Sequence, residues 1–109
     1  MLATVATQLA RHEAAIAEAC ERFAVVRLDL FGSASTDSFR SGESDFDFAV
    51  VFREDAWTNA FDNYFGLKER LEVLLARPVD LVALKSVRNP YLRAAIEKTR
   101  HAIYVAPAA

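Results

Sequence analysis

The chain has 109 residues, a net charge of −2 and a pI of about 5.6. A hydrophobic fraction of 53% excludes a disordered chain, the length suits one domain over 1–109 with a modest core, and the acidic balance argues against a surface made for non-specific nucleic-acid binding. No apolar run nears the roughly 20 residues that cross a bilayer, no basic-then-apolar leader opens the chain, and the one cysteine, Cys20, leaves no internal disulfide, so a cytoplasmic protein is expected.

Residues 3–23 read as an amphipathic helix, with Val5, Leu9, His12, Ile16, Ala19 and Phe23 at three-or-four spacing. His12 on that stripe reads as half-buried by packing, and Cys20 as a small core residue. A strand follows over Val25–Phe31, with Val25, Arg27, Asp29 and Phe31 on one face and Val26, Leu28 and Leu30 on the other. Gly32-Ser33 breaks it, and a serine-rich loop spans 34–44, in which Gly32 and Gly42 are the expected sites of positive φ. A second strand over 45–52 turns Phe46, Phe48, Val50 and Phe52 to the core and Asp45, Asp47, Ala49 and Val51 away from it.

A polar connection at 53–56 leads to a helix over 57–76. Its stripe of Trp57, Phe61, Tyr64, Phe65, Lys68, Leu71, Leu74 and Leu75 is expected to be core rather than a base-stacking platform, and Gly66 weakens it. Arg77-Pro78 ends this helix and a short strand runs over 79–84, with Asp80 the one charge inside it. Asn89-Pro90 is a cap followed by a first-turn proline, and the helix it opens is expected to reach Tyr104 before a frayed end from Pro107.

The chemistry concentrates between Leu28 and Phe52. Asp45 and Asp47 point to one face of a strand, because the side-chain period is two. Two carboxylates there repel, and a divalent cation that takes carboxylate and phosphate oxygens together resolves the conflict. The Gly32-Ser33 turn precedes the pair and could offer backbone N–H groups and a hydroxyl to a phosphate. Asp45-x-Asp47 runs straight into Phe48-Ala-Val-Val-Phe, without the glycine and later glutamate of an EF-hand loop.

Strand, Gly-Ser, loop, Asp-x-Asp and second strand, in that order, resemble the signature of the polymerase-beta-like nucleotidyltransferase superfamily. At this length the likeness is to the minimal nucleotidyltransferases of bacteria and archaea. Asn89-Pro-Tyr-Leu-Arg and Glu-Lys-Thr-Arg100 look like their C-terminal helix, so the resemblance covers nearly the whole chain. It implies an α/β (α+β) core, a small mixed sheet with helices packed on one face. It also implies a third acid on a later strand, which Asp80 matches. On this resemblance Asp45, Asp47 and Asp80 are the catalytic and metal-binding set for two Mg²⁺ ions, while Gly32, Ser33 and Arg40 contact the nucleotide.

The family resemblance further implies transfer of a nucleoside monophosphate, AMP from ATP, to a hydroxyl. The acceptor would be a HEPN-domain partner toward which the chain acts as antitoxin. A contact-only binding module is the alternative; nucleic acid as acceptor and a larger-chain, small-molecule chemistry rank below, and a homodimer stays open. One departure stands out. Ala34-Ser35-Thr36-Asp37 occupies the place where many minimal members carry Arg-Gly, Asp37 adds negative charge where a phosphate would approach, and Arg40 is the later cation that could substitute.

Overall fold

The computed structural model describes residues 1–40 and 45–107. Ser41, Gly42 and Ser44 of the expected loop, and the two terminal alanines expected to fray, lie outside the described residues. Two helices, α1 (Ala3–Arg11) and α2 (Glu13–Arg22), precede the strand β1 (Val25–Phe31). Then come β2 (Phe46–Phe52), α3 (Ala60–Leu75), β3 (Val79–Ala83), α4 (Pro90–Thr99) and β4 (His101–Val105). The strands lie side by side in the order β3-β2-β1-β4; β1 is antiparallel to both its neighbours and β2 is parallel to β3.

The alternation of Phe46, Phe48 and Val50 along β2, with Leu28 and Leu30 of β1 and Leu81 of β3, makes one face of the sheet apolar. That face is buried against Val5 and Leu9 of α1, Ile16, Ala19 and Cys20 of α2, and Leu67, Leu71 and Leu75 of α3. Each such fully buried side chain contributes about 1.5–3 kcal/mol. The other face carries a smaller cluster, in which Phe31 and Ala49 meet Ile96 of α4 and Val87. α4 therefore covers one end of the opposite face and leaves the rest of it open.

Four local expectations give way. The helix over 3–23 is broken at His12 (φ −105°, ψ 12°); three-or-four spacing persists on both sides of the break, so periodicity does not register it. His12 is half-buried and Cys20 fully buried, as expected, and burial pushes the Cys20 thiol up to about 12. Val26 is exposed rather than core, because the β1–β2 register shifts between Val25 and Arg27 and lets Val25 join the core instead.

The aromatic stripe is core only in part: Tyr64, Leu71, Leu74 and Leu75 join or pack on the main core, but Trp57, Phe61 and Phe65 are 76%, 73% and 49% exposed. The buried face of α3 centres on Leu67 and Leu71. At about 100° per residue, Leu67 rotates that face away from Phe61 and Phe65. Trp57 lies before α3, in a 3-10 turn over Glu54–Asn59. Lastly, the final helix stops at Thr99, and His101–Val105 is an edge strand whose Ile103 and Tyr104 pack on the main core. Over five residues with β-branched and aromatic members, a helical and a strand reading compete, and pairing with β1 decides it.

Polar contacts tie the crossover from β2 to β3 in place. The Glu72 carboxylate accepts from the Val79 N–H at 3.0 Å and from Lys68 Nζ at 3.2 Å, and the Tyr64 hydroxyl donates to the Leu81 carbonyl. The Gln8 amide donates to the Leu75 carbonyl at 2.8 Å, closing the end of α3, where Ala76 turns left-handed (φ 54°) ahead of Pro78. Gly66 is there for closeness: a Cβ on it would stand 2.3 Å from the Phe23 ring.

Asp29 is the one charged residue in the buried set among the described residues, at 1% exposure. Arg27 Nε reaches its carboxylate at 2.8 Å and Arg100 Nη2 at 2.7 Å. Burial alone would raise its pKa, but the hydrogen bonds and charges of the two guanidinium groups outweigh that and hold it below the usual carboxylate range. The clasp joins β1 to the residue that follows α4. Asp29→Ala leaves the half-buried Arg100 guanidinium with Glu97, 3.1 Å from Nη1, but without Asp29, and should lower stability by about 2–3 kcal/mol in urea unfolding, less than for a fully buried pair because Arg27 is partly solvated. The stabilisation from Asp29 is present above the unfolded carboxylate pKa and is lost as pH falls through the lowered folded value.

Candidate active site

β2 runs through the middle of the sheet and presents Asp47 one residue inside its start. Asp47 is registered against Phe31 of β1 on one side and Asp80 of β3 on the other. Neighbouring strands lie about 4.8 Å apart, so the parallel register sets two carboxylates side by side on one face. Asp45 stands two residues before Asp47, just outside β2, and is exposed, as is Asp80. Asp47 is half-buried.

Its pKa is pushed up to about 6, first by burial, then by the charge of Asp80 and then by that of Asp45. The three acids read from the sequence are therefore electrostatically one group. Their carboxylates are not gathered to a point: among the described residues no three His, Cys, Asp or Glu side chains stand within reach of one ion. An all-oxygen donor set with uncompensated repulsion fits a hard divalent cation, which would relieve the strain that the raised pKa records.

Gly32 closes the site from the β1 side. β1 ends extended at Phe31, Gly32 takes φ +73°, and a 3-10 turn runs over Gly32–Ser35. A Cβ on Gly32 would lie 2.7 Å from Asp47 Oδ2, so both the conformation and the space demand glycine. The Ser35 hydroxyl donates to the Gly32 carbonyl at 3.0 Å, and the Thr36 N–H and hydroxyl donate to the Ser33 carbonyl at 3.1 and 3.0 Å. The Gly32 N–H itself goes to Thr99 Oγ1 at 2.9 Å. What the turn holds out to an anion thus begins at Ser33, which is half-buried.

Arg40 is exposed at the edge of the described residues. Asp37 is exposed, 3.5 Å from the Met1 amino group. The structure therefore brings together Gly32, Asp47 and Asp80, with Asp45 alongside. Two residues of this neighbourhood went unread in the sequence. Asp29, one of two charges in an otherwise apolar strand, carried a signal, since it shares a face with Arg27 and Phe31; Thr99, one polar residue among many on its helix, carried none.

A family model described as a nucleotidyltransferase domain matches residues 13–103. Two proteins of Methanocaldococcus jannaschii, both provisionally named protein adenylyltransferases, are 37% and 33% identical over 78 residues, which is 72% of this chain and 76% of each relative. A solved structure provisionally named a minimal nucleotidyltransferase superposes with a TM-score of 0.71 at 30% identity, covering 89% of this chain and 93% of that one. A tri-AMPylated Shewanella oneidensis HEPN toxin in complex with MNT antitoxin matches at a TM-score of 0.62 and 23% identity, over 90% of this chain and 73% of that one, a likeness of fold.

The raised pKa of Asp47 has a sign that can be checked. Its protonated form is favoured by folding, so the stability it allows is fully present below the unfolded value of about 4 and is lost as pH rises through about 6. In metal-free protein, Asp47→Asn should therefore raise stability at pH 7 by around 2 kcal/mol. The gain should vanish below pH ~4, read from unfolding midpoints across that range.

Proposed function

The chain belongs to the nucleotidyltransferase domain family, and from that premise we propose that it transfers AMP from ATP to a hydroxyl group on a partner protein. The partner class we propose is a HEPN-domain toxin, with this chain as its antitoxin. The relatives named as protein adenylyltransferases and the fold likeness to an antitoxin bound to an AMPylated HEPN toxin support that choice. We place the chain in the cytoplasm, where ATP is plentiful. No helix of the protein, among the described residues, is long and apolar enough to cross a membrane.

The observation that carries the reading is the apposition of Asp47 with Asp80 in the β2–β3 register, with Gly32 pressed against the Asp47 carboxylate. Asp45 and Asp47 would hold two Mg²⁺ ions, with Asp80 completing the site of the second, and the two ions would supply the positive charge that a triphosphate and its leaving group need. The Ser33 amide and hydroxyl would orient the phosphates, and Arg40 would add charge from the loop. Asp80 would accept the proton of the acceptor hydroxyl. That oxygen then forms a bond to the α-phosphorus, the bond from that phosphorus to the α–β bridging oxygen breaks, and pyrophosphate leaves with the electron pair. Asp47, half-buried and fixed by strand pairing on both sides, keeps the attacking and leaving groups in one line.

A second reading rests on the exposed rings of Trp57, Phe61 and Phe65. They fit a module that neutralises a partner by contact alone. Asp45→Asn with Asp47→Asn separates the two: on the transferase reading the double variant loses neutralisation of its partner, and on the contact reading it keeps it.

Thermal unfolding with and without Mg²⁺ and ATP tests the site before any partner is in hand. A ligand at about 100 times its Kd adds about 2.7 kcal/mol. We expect a rise of several degrees in the wild type and none in the double variant. No rise in either would remove the nucleotide from the account.

A further inference from the structure

The turn that carries Gly32 and Ser33 is tethered from α4, an element that supplies none of the acids. Thr99 Oγ1 accepts the Gly32 N–H at 2.9 Å and donates its own proton to the Ala95 carbonyl at 2.7 Å. The bond to Ala95 fixes the hydroxyl rotor, which leaves a lone pair facing Gly32.

Thr99 is itself held still. The Asn89 side chain accepts from the Tyr91 and Leu92 N–H groups at the start of α4. Ile96 is buried in its middle, and Arg100, next after Thr99, is locked to Asp29 at 2.7 Å. Gly32 has little room in return. Its φ is +73° and the Asp47 carboxylate fills the space where a Cβ would go. If the Gly32 peptide rotated, its backbone would meet Asp47 or swing the following residues off the carboxylates.

We infer that Thr99 is a positioning residue of the nucleotide site: by taking the Gly32 N–H it holds the Gly32-Ser33 turn against Asp47 and commits the next donors of the turn, from the Ser33 amide on, to a phosphate. This rests on the nucleotidyl-transfer reading of the site. Thr99 touches neither nucleotide nor metal in this role; it acts through Gly32. A mere stitch between α4 and β1 would use the same hydrogen bond with no consequence for ligand binding, and that is the difference to be measured.

The test compares Thr99→Val, which keeps the shape and loses the hydroxyl, with Thr99→Ser, which keeps the hydroxyl. Two quantities are read on the full chain: amide hydrogen exchange at Gly32, and the Kd for ATP in the presence of Mg²⁺. In Thr99→Val the Gly32 amide should exchange at least about tenfold faster while the Leu28, Leu30 and Phe48 amides keep their protection. The Kd should rise about tenfold, the size of one hydrogen bond's contribution. Thr99→Ser should stay within about twofold of wild type on both counts.

Faster exchange at Gly32 with an unchanged Kd overturns the inference, and so does loss of protection across the whole sheet or failure of Thr99→Ser to restore binding. Wild-type protein that binds no ATP with Mg²⁺ would overturn the transferase reading first and the role of Thr99 with it. Normal wild-type binding with an unaffected Thr99→Val variant overturns the role of Thr99 alone.

Discussion

The parallel pairing of β2 with β3 is the constraint from which the site follows. Parallel neighbours cannot be joined by a tight turn, so the chain must leave the sheet and return, and α3 is that return. The register it delivers places Asp47 against Asp80. A slip of one residue would send Asp80 to the opposite face and bury a charge in the main core. Glu72 on the Val79 amide and Tyr64 on the Leu81 carbonyl guard against that slip. Leu67, Leu71 and Leu75 provide the burial that makes the return worthwhile. The repulsion between the two acids is thus imposed by a topology whose apolar side is well satisfied.

The opposite half of the sheet supplies what the acids lack. β1 ends at Gly32, and α4 with β4 hold that end from outside, through Thr99 on the Gly32 amide and Arg100 on Asp29. The acids and the turn therefore come from two separately anchored halves that meet across the Phe31–Asp47 pair. Asp29 illustrates how a buried charge can serve such an arrangement. Its two guanidinium partners offset its desolvation, and the pairing can be satisfied only when the residue after α4 lies over β1.

Much of this was legible in the chain because the strands obey strict alternation. β1 and β2 are read nearly to the residue from Leu28, Leu30, Phe46 and Phe48, although β2 opens at Phe46 and leaves Asp45 just outside it. Asp80 could be matched by resemblance, and the register with Asp47 then supplied the physical reason for the match. The failures have physical causes too. Trp57, Phe61 and Phe65 obey helical spacing with Leu75, but a stripe about one residue wider or narrower cannot be told apart until the buried side is known, and Leu67 decides it. β4 is a five-residue edge strand that only its partner β1 defines. Thr99 matters through one long-range hydrogen bond, and no local pattern encodes which hydroxyl will meet which amide.

The exposure of Trp57 has a practical side. It is the single tryptophan of the chain, and with 76% of its surface in water its indole already has a nearly aqueous environment in the folded state. Its fluorescence should shift little when the core melts, so emission is a poor witness to unfolding. For the same reason it is a sensitive witness to coverage: a molecule that settled over this end of α3 would change the colour and the quencher access of the one indole without disturbing the fold beneath it.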